Sequence, residues 1–175
     1  MLEMMQFRPE DYGAEIARAL GLAAGGDRLM PLVRGGSVAH AAGEAIKGIE
    51  RLDASVRAGL YLRCGCWDAA HEVADSVQNP NGYFWHGIVH RQEPDAGNSA
   101  YWFRMTGRHP IFPTLAEEAG AVGYAGSGNW DPFAFIDFCE AARARPGSAE
   151  EKLAMQVQLL EWQLLFDHCA RGERS

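Results

Sequence analysis

Apolar residues recur along most of this chain at intervals of three and four, the spacing that lines one face of an α-helix. Ile16, Ala19, Leu20 and Ala23 mark a first helix over residues 10–22, halted by Gly25-Gly26. Pro31 and Gly35-Gly36 interrupt the next stretch, after which Ser37 is expected to cap a helix through Ala41, Ala45 and Ile49. Val56, Leu60 and Tyr61 define a helix over 55–63 that ends at Cys64-Gly65. Ala70, Val73, Ala74 and Val77 define another over 67–77, closed by Asn79-Pro80-Asn81-Gly82. Helices over 82–92 and 98–106 follow, separated by Pro94 and ended by Gly107 and Pro110.

Three start signals organise the C-terminal part. Thr114-Leu115-Ala116-Glu117 has capping-box form and predicts a helix to about residue 122. Glycines at 120, 123, 126 and 128 then read as a connecting loop. Asp131-Pro132, a cap followed by proline in the first turn, opens a helix over 133–144. Ser148-Ala149-Glu150-Glu151 is a second capping box, opening a last helix to about 169. Leu159, Leu160, Trp162, Leu164, Leu165 and Phe166 make that helix apolar nearly all round. Such a helix belongs in the centre of a domain or at a contact between two copies, so a homodimer through it is an expectation. No segment alternates with the period of two that a half-buried strand requires. The fold class predicted is all-α, with stacked antiparallel hairpins and a long C-terminal helix.

At 175 residues the chain suits one domain. Within it, 1–50 holds N-terminal helices, 53–106 two hairpins and 114–170 the C-terminal helices. The net charge of −7 argues against nucleic-acid and anionic-membrane partners, whose binding rests on clustered Lys and Arg. The start lacks the basic and apolar runs of a signal peptide, and no apolar run approaches the length of a membrane span. Cys64, Cys66, Cys139 and Cys169 do not follow zinc-site spacing, the first two having a one-residue gap. Free thiols without an export signal predict a cytoplasmic protein whose cysteines pack as small hydrophobes.

Residues 59–70 resemble the turn of a tetratricopeptide-type hairpin, with Gly65, Trp67 and Ala70 in the places of the glycine, the aromatic and the small residue. A second, looser copy places Pro94, Ala96 and Ser99 there, offset by 29 residues where such repeats recur at about 34. The resemblance covers about 53–106 and implies hairpins that bury their apolar faces only by stacking on neighbours. Trp85-His86 through Trp102-Phe103, and Trp130-Asp131-Pro132-Phe133, also resemble segments of an uncharacterised bacterial family.

Residues that carry chemistry concentrate between Tyr83 and Phe112. On a helix over 82–93, Phe84, Trp85, Ile88 and Val89 share a packing face, while His86, His90 and Glu93 share the other at i, i+4, i+7. Two histidines four apart can bind one divalent metal, with the carboxylate as third ligand. No glutamate follows the first histidine directly, as it does in zinc peptidases, and each imidazole has a plainer use as a partner for a backbone carbonyl, Tyr101 or Asn98. His109 is expected to return to the same place. Arg91 and Arg104, with Tyr101 and Asn98 nearby, suit a carboxylate or phosphate. Gly126-Ser127-Gly128 fits neither a nucleophile elbow nor a phosphate loop.

Two functions follow from these readings. One is a helical-repeat module that binds a protein or a small anionic ligand, with a groove lined by Phe84, Ile88 and Arg91. The other is a small metal- or histidine-dependent enzyme acting on an anionic molecule, with His86, His90 and His109 at its centre and no further cofactor.

Overall fold

The computed structural model describes residues 4–23, 28–35 and 39–172, and these form helices with no strand among them. A 3-10 turn at Pro9–Tyr12 leads into α1 (Ala14–Leu22), α2 (His40–Lys47), α3 (Ala54–Arg63), α4 (Trp67–Ser76) and α5 (Pro80–Gln92). Then come α6 (Ala96–Thr106), α7 (Phe112–Ala121), α8 (Pro132–Arg143) and α9 (Ala149–Arg171). The fold is all-α, as the periodicity predicts.

Caps explain where most of these helices start. Asp131 accepts from the backbone N–H of Phe133 and Ala134, and Ser148 from that of Glu151. Two starts lie earlier than the apolar pattern suggests. Asn79 accepts from Gly82 N–H and caps α5, so Pro80 begins that helix, whereas the apolar pattern predicts it in the preceding turn. Asp95 likewise caps α6 through Asn98 N–H. Both cases are proline or small-residue first turns, which carry no apolar period to count. α7 begins at Phe112, ahead of the capping box expected at Thr114; Pro113 in its first turn supplies no N–H that needs a cap. The proposed Ser37 cap and the Gly25-Gly26 stop lie outside the described residues.

Successive helices pack in pairs, α1 on α2, α3 on α4 and α5 on α6, and α5 also contacts α3 and α4. α9 closes the arrangement against α3, α7 and α8. Its apolar residues are covered within one chain: Trp162, Leu165 and Phe166 are closed to solvent, with Phe7 and Tyr12 of the N-terminal segment laid edge-on to Phe166. The Trp162 indole donates to Gly59 O at 2.8 Å, fixing α9 against α3.

α5 departs most from its predicted amphipathic form. Every residue from Phe84 to Gln92 is buried, so the helix has a neighbour on each side. Phe84, Ile88 and Arg91 are at most 1% exposed, and the groove expected over them is interior. Among the described residues no helix is long and apolar enough to cross a membrane. The four cysteines are free thiols; burial pushes Cys64, Cys139 and Cys169 up to about 12, so they pack as neutral groups.

Candidate functional site

The site begins with two helical spacings that meet. On α4, Trp67, Ala70, His71 and Ala74 share one face; the two alanines are buried, and Trp67 and His71, four apart, reach α5. The Trp67 indole donates to Val89 O at 3.0 Å and ties the start of α4 to the end of α5. His71 lies one turn on, stacked parallel to Trp67 at 5.2 Å. On α5, His86 and His90 stack on each other at 5.2 Å. His71 stands edge-on to both, 4.7 Å from His86 and 5.2 Å from His90.

One ring nitrogen from each of His71, His86 and His90 falls within 4.8 Å of the others. His71 joins His86 and His90 in this group, while Glu93, expected as the third ligand, falls with His90 and Asp95 in a second group of the same span. Glu93 instead accepts at Oε2 from Nδ1 of His90, at 3.0 Å. That bond fixes the tautomer of His90, leaving its Nε2 as the lone-pair nitrogen.

α6 supplies the wall. Trp102 lies flat on His86 with centroids 3.9 Å apart, and Tyr83 also stacks against Trp102, at 5.7 Å. Gly87 lets α6 come this close: Phe103 packs over it, and Ser99 Oγ donates to its carbonyl at 2.7 Å. The surroundings hold His86 and His90 toward the neutral form. Burial, aided by His71 and His90, holds His86 down to about 4, against the pull of Asp75. Burial also lowers His90, although Glu93 works the other way. Among the described residues, nothing hydrogen-bonds the buried Nδ1 of His86.

The other expected site residues go elsewhere. His109 does not join the cluster: Nε2 donates to Asn81 Oδ1 at 2.8 Å, Nδ1 accepts from Ile111 N–H, and the ring packs between Phe84 and His168. Both nitrogens are used, and burial followed by His168 lowers the group to about 4. Arg91 points away from His90 and is bound to Glu161 and Gln158 of α9. Asn98 serves the Asp95 cap, while Tyr101 and Arg104 lie exposed on α6.

His71 is the participant that sequence reasoning passed over. Its signal was the Trp67/His71 pair at i, i+4, on the same face as the small residues Ala70 and Ala74. In chemical terms the arrangement offers three imidazole nitrogen donors, one of them backed by a carboxylate, which is the donor set of a borderline divalent ion such as zinc. In comparisons with known proteins, no family model, curated protein or solved structure matches the chain.

Proposed function

We propose that this chain is a helical-hairpin module that binds one divalent transition-metal ion between α4 and α5, through His71, His86 and His90. The observation that carries the reading is the convergence of three imidazole nitrogens within 4.8 Å, contributed by two different helices. Metal–nitrogen bonds of about 2.0–2.1 Å place tetrahedral donors roughly 3.4 Å apart, so modest ring rotation closes the set. Three further features support it. Burial lowers His86 and His90 toward the neutral form that ligation requires. Glu93 on the Nδ1 of His90 is the usual outer partner of a ligating histidine. The unpartnered Nδ1 of His86 is a buried polar atom with a cost that an ion in the cluster relieves, directly or through ring rotation.

The ion joins the two neighbouring hairpins, so its binding stabilises the junction of α4, α5 and α6. Titrating chelator-treated protein with Zn(II) in a calorimeter tests this. One ion per chain is expected, with His71→Ala abolishing the event while far-UV circular dichroism is unchanged. Glu93→Gln is expected to weaken binding by roughly 10- to 100-fold, the usual effect of losing an outer partner. Equal stoichiometry and affinity in the wild type and His71→Ala would overturn the assignment.

A further inference from the structure

We infer that the metal centre is an open one, whose remaining coordination position takes a small monodentate anion from solution. This rests on the metal reading above and adds what the site does with its ion. The argument starts from the donor count. Among the described residues no fourth His, Cys, Asp or Glu atom lies within the 4.8 Å span that holds His71, His86 and His90. Glu93, the carboxylate nearest His90 in sequence, is occupied by Nδ1 of His90, and Asp75 of α4, which acts on His86 through its charge, lies outside that span. The face of His86 is covered by Trp102 and that of His71 by Trp67, whose indole N–H is committed to Val89 O. These rings shape the surroundings without supplying a donor.

Structural zinc sites close with four protein ligands, whereas three protein ligands leave a position for water or substrate. Solvent has a way in, because His71 is only half-buried while His86 and His90 are closed. Charge sets the class of ligand. Three neutral imidazoles leave the full double positive charge on the ion, and no protein anion enters its inner shell, so an anion is preferred over a neutral ligand. In the exchange, an oxygen or nitrogen of the anion forms the new metal bond as the bound water leaves for bulk solvent. A carboxylate, azide or hydroxide qualifies; the flanking indoles disfavour a bulky multidentate chelator.

Cobalt(II) serves as both probe and reporter, since its visible bands follow coordination number and ligand identity. The full chain, loaded with one equivalent of Co(II), is titrated with sodium azide and then, separately, with acetate. The expected result is a saturable change in the visible bands in each titration, absent from His71→Ala loaded in the same way. Bands that form with one equivalent of Co(II) but do not respond to either anion would show a closed site; the metal reading would survive and this inference would be lost. Failure to bind Co(II), or an azide response of full size in His71→Ala, would remove both.

Discussion

Arg91 of α5 and Glu161 of α9 form a doubly bonded ion pair with both side chains at most 1% exposed, the N–O distances being 3.1 and 2.5 Å. The guanidinium also takes Gln158 as a partner and lies over the Phe135 ring, 4.6 Å from its centroid. This pair lies on a different side of α5 from the histidines, so the helix that carries two of the three clustered histidines is anchored to the centre of the domain. Removing one member strands the other charge without water. Glu161→Gln is therefore expected to cost about 3–5 kcal/mol in urea unfolding, the usual penalty for breaking a buried pair. Replacing both, Arg91→Met with Glu161→Leu, is expected to cost much less. A single-site loss below about 1 kcal/mol would mean that the pair does not hold α5 in place.

Acid should weaken the fold through its neutral histidines. His86 and His109 sit at about 4 when folded, against an ordinary value near 6.5. A lowered imidazole binds fewer protons folded than unfolded. Its stability contribution is therefore whole above about 6.5 and is lost as the pH falls toward 4. Glu118, raised by burial, acts in the opposite direction as it takes up a proton. His109→Gln isolates the histidine part, since the amide can still meet Asn81. Urea midpoints at pH 7.5 and 5.0 are expected to fall in the wild type and to fall less in the variant, by on the order of 1 kcal/mol. Parallel pH profiles for the two proteins would exclude a role for His109.

Close approach of α5 and α6 depends on Gly87. A Cβ there meets three atoms of the Phe103 ring at 2.7–2.9 Å, and Phe103 is itself 1% exposed and packed on Phe84. Gly87→Ala is expected to destabilise by about 1–3 kcal/mol, as overpacking does. It should also weaken metal binding, because moving α6 carries Trp102 off His86. Gly120 in α7 provides the contrast, with nothing within 4 Å of an added Cβ. Gly120→Ala is expected to gain up to about 1 kcal/mol from helix propensity alone. Chemical denaturation of both variants decides the matter; similar effects on stability would show that α5 and α6 are not tightly apposed.

Much of this protein was legible from one dimension. Helical periodicity located every described helix from α3 onward, and the Asp131 and Ser148 caps marked two starts, because these features depend only on neighbours a few residues away. The i, i+4 relation of His86 and His90 was equally local. Tertiary structure alone decided which faces met. A helical wheel places Glu93 beside His90, yet it cannot show that α4 brings His71 to the same edge and frees Glu93 to bind Nδ1. Nor can it show that Arg91 is met by Glu161, 70 residues away, or that His109 turns to Asn81 instead of the cluster. The fold class was readable because period and caps are properties of single helices. The donor set was not, because it depends on the rotation of α4 about its axis relative to α5, which packing across the whole domain determines.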